Sequence, residues 1–511
     1  MKEKQEHYDI HGKPYNRSSI LALILVATFA GVLMQTSLGT AIPTLMKSFD
    51  INLSTTQQAT TWFLLANGVM VPLSAYLAST VPTRWLYFTA YGILLSGILV
   101  TALTPAKSSM WIVFIIGRIL AAVAVGILMP LMQVVILNMF PPSQRAVAMG
   151  LGGLVIGMAP AIGPTLSGWI LDKKHIIWGI TIPDSWRTIF IIPAIIIAIA
   201  FVLSPFIIKD VIPTRNHKLD ITSLLLSIVG FGLFLWGFTN VASDGWGDLS
   251  HVIAPIAVGV IIIAIFCHRQ LILEDPFLDI RVFKVKAFTL PTIAVILAMM
   301  AMFGVEMMLP TYLQNVHGLS PLNSGLTLLG GALMMGLMSP ISGVLYNKVG
   351  VKRLSLLGFV ILALGTVPFM YLSPTSPTIL ITVLYAIRMT GVALGMMPLT
   401  TDAMAALPAD KVTHGTAVNN TMRQIASAIV VALLTSITQN IINENTPAKS
   451  LKTANPLDYA SKMIDGSMKG FSVSFAIGLS FAILGVIVVF FLKDSKSLKG
   501  IENEVKGEAK L

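Results

Sequence analysis

The chain has 511 residues, of which 55% are hydrophobic and only 11% are charged. A soluble globular protein has roughly 25% charged residues, so this composition excludes a soluble multidomain protein and indicates a polytopic helical membrane protein. The single cysteine, Cys267, excludes an internal disulfide and a cysteine-based metal site.

Uncharged runs long enough to cross a bilayer, which takes about 20 apolar residues, recur along the whole chain. The polar residues 1–17 predict a cytoplasmic tail, and the run after them is too long for the core of a signal peptide. We predict fourteen spans, at 18–43, 58–80, 85–104, 109–137, 144–170, 187–208, 219–241, 251–273, 287–315, 321–346, 354–373, 376–406, 413–441 and 469–492. Most of the 34 Lys and Arg residues then fall in cytoplasmic segments, which places both termini in the cytoplasm. The net charge of +11 therefore orients the protein, and we expect no nucleic acid as a partner.

Two halves of the chain repeat one plan. Residues 72–86 align without a gap to residues 340–354 at an offset of 268, and residues 42–46 resemble residues 309–313 at an offset of 267. Parallel repeated halves are the architecture of major facilitator transporters, so we predict an all-α polytopic membrane protein with the major facilitator fold, two six-helix bundles plus two extra helices. The predicted parts after the N-terminal tail are an N-terminal bundle (18–208), two extra helices with cytoplasmic linkers (209–286), a C-terminal bundle (287–492) with an extracellular loop at about 442–468, and a cytoplasmic tail (493–511).

The fifth predicted span contains an unusual run of glycine and proline, GLVIGMAPAIGPTLSG, at residues 153–168. Glycines four residues apart let two helices approach closely, and each proline removes a backbone donor and kinks its helix. We expect this helix to lie at the contact between the two halves and to act as a rocking surface, although the same residues could serve packing alone. The residues concerned are Gly153, Gly157, Pro160, Gly163, Pro164 and Gly168.

Charged residues at membrane depth are costly and are therefore candidates for a function. Glu306 lies well inside the ninth span, and because burial disfavours the charged form of a carboxyl group, it could load and release a proton near neutral pH. Asp402 in the twelfth span is the second candidate for proton coupling, and Arg118 in the fourth span could assist a carboxylate but cannot itself carry the proton. A carboxylate satisfied by a fixed partner or by water is the alternative for both acids, and we interpret Arg388 and Arg423 as structural.

Methionine is abundant around Glu306, with five copies between residues 299 and 308. Flexible and polarisable methionine suits the binding of varied apolar shapes, although ordinary packing explains any single methionine equally well. We expect Phe303, Met307, Met308 and Tyr312 to line a substrate cavity.

Several stretches resemble a known family over nearly the whole chain. GMAPAIGPTLSG (157–168) resembles the fifth-helix antiporter signature of the major facilitator drug exporters, and GRILAAVAVGILMP (117–130) is similar to their fourth-helix motif. DPFLDIRVF (275–283) and HGTAVNNTMRQ (414–424) also fit. The chain thus resembles the 14-spanner drug:proton antiporters of the EmrB/QacA type, and MQTSLGTAIP (34–43) is similar to their lincomycin-exporter branch. The resemblance implies a monomeric bacterial plasma-membrane protein that exports small lipophilic or cationic compounds, antibiotics among them, in exchange for protons.

Two departures from the family pattern bear on the mechanism. The first helix of drug exporters often carries an embedded Asp, whereas this chain has Met34 there, followed by Gln35 and Thr36, which we expect in the substrate cavity. The charged motif after the second span is reduced, so we expect the cytoplasmic gate to be held by hydrogen bonds and packing more than by salt links. The residues of this predicted gate are Arg84, Asn347, Gly350, Lys352 and Arg353.

We expect an ion gradient as the source of energy, since the chain contains no phosphate-binding G-x-x-x-x-G-K-[ST] loop. We expect no cofactor, no metal site and no enzyme activity, and we expect substrate, protons and membrane lipid as the partners. Three alternatives stay open: a proton-coupled importer, a proton-coupled exporter or flippase of an endogenous lipid or metabolite with the same fold, and a membrane enzyme or sensor that transports nothing.

Overall fold

The structure, a computed structural model, describes residues 7–38, 41–51, 53–177, 179–214, 220–276, 278–447 and 449–492. The predicted C-terminal tail, 493–511, lies outside the described residues. Most of the described residues are helical. Thirteen helices among them are long and apolar enough to cross a membrane, and a bent helix described below adds a fourteenth when its two segments count as one span.

The first half of the chain forms seven helices and two short hairpins. The helices are α1 (Arg17–Thr36), α2 (Ile42–Phe49), α3 (Leu53–Thr80), α4 (Thr83–Leu103), α5 (Trp111–Met139), α6 (Pro142–Asp172) and α7 (Thr188–Ile207). The antiparallel hairpins are β1 (His7–Tyr8) with β2 (Pro14–Tyr15), and β3 (His175–Ile177) with β4 (Ile180–Ile182).

The remainder of the chain supplies the extra pair of helices and the second half. The extra pair is α8 (Ile221–Asp244) and α9 (Ala254–Ile272). The second half consists of α10 (Lys286–Glu306), α11 (Leu309–Asn315), α12 (Pro321–Val349), α13 (Val351–Thr366), α14 (Thr378–Ala405), α15 (Val412–Glu444), α16 (Lys449–Ala454) and α17 (Pro456–Phe490).

The two halves each bury an apolar core of their own and meet along two main seams. One large cluster of buried side chains comes mostly from α1 to α7, and a second comes mostly from α10 to α17. The seams are the contact of α6 with α12 and the contact of α3 with α15. The extra helix α8 packs on both α3 and α15, with α9 packed on α8, so the extra pair covers the second seam.

The repeat read from the sequence is visible in local structure. In α3 the hydroxyl of Ser74 donates to the carbonyl of Val71 at 2.6 Å, and in α12 the hydroxyl of Ser342 donates to the carbonyl of Ser339 at 2.7 Å. Each hydrogen bond runs from the residue two positions after a proline inside its helix, Pro72 or Pro340, to the residue just before that proline.

Both opening helices of the two halves are interrupted near their ends. The first candidate span, Arg17–Thr36, is shorter than the predicted 18–43, whereas α10 and α11 together form one candidate span, Lys286–Asn315, in agreement with the predicted 287–315. The chain ends α1 at Thr36 and resumes with α2, and it ends α10 at Glu306 and resumes with α11. A proline, Pro43 or Pro310, stands in the first turn of each resumed helix. Because proline has no N–H, it cannot bond to the carbonyl four residues earlier, which weakens the helix at this point. The two prolines are 267 residues apart, so the interruption belongs to the repeat.

We expected a polar loop at about 442–468, but most of this region is helical. The short helix α16 lies inside it, and α17 begins at Pro456, well before the predicted start at 469. Asn455 caps α17 by accepting a hydrogen bond from the backbone N–H of Asp458, which itself pairs with Lys462 one turn later at 3.0 Å. Capping and a pair spaced by four residues stabilise a helix without an apolar face, so hydropathy alone misses this start.

The extra helices are joined at one end by a polar network. Asp220 caps α8 and forms two hydrogen bonds with the Arg269 guanidinium of α9, at 2.8 and 3.0 Å. The Arg269 hydrogen bonds and the hydroxyl of Ser223 lower the pKa of Asp220 from 3.8 to about 2. The carboxylate is therefore ionised at neutral pH, and its pairing links the ends of the two helices.

We expect Asp220→Asn to lower the thermal unfolding midpoint of the detergent-solubilised protein at pH 7. Because the folded-state pKa lies below the unfolded-state value, the ionised carboxylate stabilises the fold above about pH 4 and loses this contribution as the pH falls toward 2. The difference from wild type should therefore shrink in that window. Asp458→Asn, which breaks an exposed pair, is the matched control with little effect. Equal midpoints at pH 7 would show that the Asp220 pairing is not stabilising.

Candidate functional site

Glu306 stands at the interruption between α10 and α11. The last turn of α10 is irregular, since the N–H of Met308 bonds to the carbonyl of Val305 at 3.2 Å, three residues back. The Glu306 side chain is half-buried, and its buried Oε2 has no hydrogen-bond partner among the described residues. Irregular backbone at membrane depth is tolerated where it is buried in protein or lines a cavity. A carboxylate oxygen at this point is therefore available to bind a proton or a cation.

Arg388 of α14 bonds to the helix that carries Glu306. Its guanidinium is fully buried and donates to the Ala301 carbonyl and to the Thr366 hydroxyl, both at 2.8 Å. No nitrogen of Arg388 lies within 4.0 Å of a carboxylate oxygen in the described part of the chain. Arg388 thus holds α10 at Ala301, five residues before Glu306, and forms no direct ion pair with Glu306 in the described residues.

Arg118 of α5 occupies the matching place in the first half. It is buried, donates to the Met34 carbonyl of α1 at 2.8 Å, and lies 4.2 Å from the centre of the Phe63 ring. Met34 and Ala301 are 267 residues apart, so each half uses a buried arginine to hold the same point of its first helix. In the described residues Arg118 makes no carboxylate contact within 4.0 Å, so its predicted coupling role stays a prediction.

Asp402, the second predicted acid, does not share the Glu306 site. It is half-buried near the end of α14 and accepts a hydrogen bond from the hydroxyl of Tyr346 at 3.1 Å. Fourteen residues of α14, about 21 Å of helix, separate it from Arg388. The structure therefore places Asp402 beside the α12–α13 connection.

The side chains expected to line a cavity differ in their surroundings. Met307 is exposed and Phe303 is half-buried, whereas Met308 is buried. Tyr312 is fully buried, and its hydroxyl donates to the Ser373 carbonyl at 2.7 Å. The cavity role of these residues stays a prediction.

The two cavity candidates in the first half stand at the end of α1. Gln35 and Thr36 are both half-buried. A Cβ added at Gly163 of α6 would meet the Thr36 hydroxyl, so Thr36 packs closely on the glycine-rich helix.

The glycine-rich helix α6 lies at the seam with α12, and it bends by 41° between Pro142–Ala159 and Ile162–Asp172. Only the backbone of Pro160 falls in the described part. Gly153 and Gly157 face flexible methionine side chains, Met397 and Met335. Further along, a Cβ at Gly168 would lie 3.4 Å from the Leu322 Cα, and Pro164 is half-buried.

A close backbone approach at this seam involves two glycines outside the predicted set. A Cβ at Gly150 would meet the Ser339 carbonyl and lie 2.8 Å from the Pro340 Cα. A Cβ at Gly343 would meet the Ala146 carbonyl and lie 2.7 Å from the Val147 Cα. The sequence signal was present, because Gly150 continues the small-residue spacing of Gly153 and Gly157 by one turn.

The predicted gate residues lie where α3 and α12 end. The Asn347 amide donates to the Ser143 carbonyl at 2.8 Å, which joins the two halves by a hydrogen bond. Gly350 has φ +86°, a conformation that favours glycine. Lys352 lies over the Phe490 ring at 5.3 Å.

The remaining basic gate residues do not join the halves. The Arg84 backbone N–H donates to the Asp210 carboxylate at 2.9 Å, and the side chain of Arg353 is exposed. In the part of the chain that the structure describes, no ion pair within 4.0 Å involves Arg84, Lys352 or Arg353.

A second polar contact between the halves was missed by sequence reasoning. The Asn420 amide of α15 donates to the Gln133 side-chain carbonyl of α5 at 2.8 Å, and Arg423 lies next to Asn420. Uncharged amides at membrane depth give no charge signal, so a search for buried charges passes over them. Among the described residues, no group of three or more His, Cys, Asp or Glu side chains could hold a metal ion.

Comparison with known proteins identifies the family. A family model described as Major Facilitator Superfamily matches residues 24–431. Lincomycin resistance protein LmrB of Bacillus subtilis (strain 168) is 36% identical over 486 residues, which cover 94% of this chain and 97% of LmrB. Multidrug export protein EmrB of Escherichia coli (strain K12) is 25% identical over 469 residues, which cover 90% of this chain and 88% of EmrB.

Solved structures agree on the fold. The proton:xylose symporter XylE superposes with a TM-score of 0.61 at 14% sequence identity, over 94% of this chain and 98% of XylE. The predicted architecture of two six-helix bundles plus two extra helices is confirmed, and the relatives are transporters, not enzymes. The chain belongs to the Major Facilitator Superfamily, as a multi-pass membrane transporter of the EmrB/QacA type.

Proposed function

We propose that the protein exports lipophilic or cationic compounds from the cytoplasm in exchange for protons, as a monomer in the plasma membrane with both termini in the cytoplasm. The observation that carries the proposal is the Glu306 carboxylate, placed at a helix interruption with one buried oxygen that has no hydrogen-bond partner in the described residues. A buried carboxylate is stable when it is protonated or when a cationic group replaces the proton. Cargo and proton would then compete for one site, which is the requirement for exchange.

The proton gradient supplies enough energy for such an exchange. One charge that crosses a potential of 100 mV gives about 2.3 kcal/mol, and this sustains roughly a fiftyfold gradient of a neutral compound per proton.

Alternating access would come from movement of the halves about the two seams. The α6–α12 seam combines a close backbone contact at Gly150 with flexible methionines at Gly153 and Gly157, an arrangement that suits a pivot. The hydrogen bond from Asn347 to Ser143 would hold the cytoplasmic gate, at the α12–α13 connection, by polar contact and not by a salt link. The basic side chains at this surface would help to orient the protein in the membrane with this side in the cytoplasm. They belong to Arg84, Lys352 and Arg353.

The names of the relatives support the direction of transport. LmrB is named for lincomycin resistance and EmrB for multidrug export, and this chain matches both over nearly its full length. Export of antibiotics by this chain is the corresponding proposal.

Two linked experiments test the function. A growth-inhibition panel with and without expression identifies compounds to which the protein confers resistance. Proteoliposomes with an imposed pH gradient then measure the direction in which such a compound moves. We expect movement opposite to the proton flux, whereas movement with the protons would indicate an importer. Resistance to none of the compounds, together with flux of a lipid or metabolite, would favour the endogenous cargo.

A further inference from the structure

Three arginines of the membrane-spanning region are buried among the described residues, and the contacts of one of them are longer than those of the other two. Arg118 and Arg388 each donate at 2.8 Å to a backbone carbonyl of the first helix in their half. Arg423 of α15 is also buried, with 5% of its surface exposed, but its contacts are long. Its Nη1 lies 3.5 Å from the Asn420 Oδ1, and its Nη2 lies 3.8 Å from the Met299 sulfur. In the described residues each of the three arginines leaves one buried nitrogen without a hydrogen-bond partner: Arg118 Nη2, Arg388 Nη1 and Arg423 Nε.

A guanidinium in this position is poorly compensated. It is always charged, and burial of a charge without a counter-ion is costly. In the described part of the chain no carboxylate oxygen lies within 4.0 Å of Arg423, and no aromatic ring lies under it. The contacts of Arg423 in the described residues are therefore longer than the 2.8 Å hydrogen bonds of Arg118 and Arg388, and it lacks the aromatic ring that lies near each of those two side chains.

The surroundings of Arg423 belong to both halves. Asn420, which contacts Arg423, also donates to Gln133 of α5, and Gln133 is buried. Movement of the halves would separate Gln133 from Asn420 and open this polar cluster to cargo. The cluster then offers one charged donor and two amides.

The position of Met299 relates Arg423 to Glu306. Met299, which Arg423 touches, and Glu306 are seven residues apart on α10, and residues at this spacing share one helix face. The separation along the helix is about 10 Å. A basic pole at Arg423 and an acidic pole at Glu306 thus lie along the same side of α10.

We propose that Arg423, with Asn420 and Gln133, binds an anionic oxygen group of the cargo. The protein then prefers zwitterionic amphiphiles. The acidic end of such a compound lies at Arg423, and its cationic end competes with the proton at Glu306. The proposal rests on the proposed exchange function and narrows its substrate class. A purely anionic cargo is less suited to exchange. Its negative charge would stabilise the protonated form of Glu306, so cargo and proton would be bound together and transported in the same direction.

Binding of three rigid probes to the purified protein tests the Arg423 site. The zwitterion is a biphenyl with a para aminomethyl group on one ring and a para carboxylate on the other. The cationic probe has a carboxamide in place of the carboxylate and keeps the aminomethyl group. The anionic probe has a methyl group in place of the aminomethyl group and keeps the carboxylate. We expect the zwitterion to bind wild type at least about tenfold more tightly than the carboxamide, as a charge-assisted hydrogen bond predicts. Arg423→Gln should remove this preference, Arg423→Lys should keep part of it, and the exposed control Lys462→Gln should leave it unchanged.

Equal affinity of wild type for the zwitterion and the carboxamide, or a preference retained in Arg423→Gln, would overturn the proposal. Glu306→Gln should retain the zwitterion-over-carboxamide preference, because that contrast reports the acidic end alone. Failure of pH-driven transport would thus count against the proposed function. The affinity difference between the zwitterion and the carboxamide would still test the Arg423 site independently.

Thermal stability distinguishes a binding role from a structural one even if Arg423→Gln folds poorly. Replacement of a poorly paired buried charge by an apolar side chain of similar length stabilises a protein, whereas removal of a well-bonded one destabilises it. We expect Arg423→Met to raise the unfolding midpoint by a few degrees and Arg388→Met to lower it. A midpoint lowered by both substitutions alike would assign Arg423 a structural role and contradict the proposal.

Discussion

Glu306→Gln should abolish proton-driven efflux and leave the protein folded. Glutamine has nearly the volume of glutamate and can neither gain nor lose a proton, so the exchange would lose its coupling site. In proteoliposomes the substrate gradient that wild type builds up should fall to about unity in the variant. The measurement is substrate accumulation under an imposed pH gradient, together with the thermal unfolding midpoint as evidence of folding.

Two other acids serve as controls for this result. Asp458→Asn removes a carboxylate on the exposed start of α17 and should transport at the wild-type rate. Asp402→Asn tests the second candidate, which bonds to Tyr346 beside the α12–α13 connection. A wild-type gradient in Glu306→Gln, or its loss only in Asp402→Asn, would remove Glu306 from the mechanism.

Gly150→Ala should slow transport at least about tenfold and lower the thermal midpoint. A methyl group at Gly150 would meet the backbone of Ser339 and Pro340, which cannot rotate away as a side chain can. Overpacking of this kind costs about 1–3 kcal/mol, and the forced separation of α6 from α12 would alter the pivot. Substrate flux in proteoliposomes and the unfolding midpoint are the two measurements.

Gly152 supplies a matched control two residues away on the same helix. Its added methyl would lie 3.3 Å from the end of the flexible Met132 side chain, which can move. Gly152→Ala should therefore be tolerated, and it should stabilise the helix by up to about 1 kcal/mol because alanine is the better helix former. Equal effects of the two substitutions would show that the Gly150 contact has no special part in the movement.

Much of the architecture was accessible from the sequence because it follows from length and repetition. Apolar runs set the number of spans, and the alignment of residues 72–86 with residues 340–354 set the relation of the halves. The structure repeats that relation in the hydrogen bonds of Ser74 and Ser342. The position of Glu306 in its helix was likewise readable, because a charge in an apolar run is a local signal.

The features that the sequence did not reveal depend on contacts between distant residues or on weak local signals. Hydropathy does not mark the helix interruption at Glu306, although Pro310 was visible four residues later. The early start of α17 depends on the cap at Asn455 and not on an apolar face. The contact of Asn420 with Gln133 joins residues 287 positions apart, which no spacing rule in one sequence indicates.

The most direct measurement for the central claim is the release of protons when cargo binds in the absence of any gradient. A compound from the growth-inhibition panel is added to the detergent-solubilised protein in weakly buffered solution near neutral pH, and the pH change is recorded. We predict that wild type releases protons on binding and that Glu306→Gln binds the compound without release. Equal proton release by the two proteins, or binding to wild type without release, would contradict the exchange of proton for cargo at Glu306.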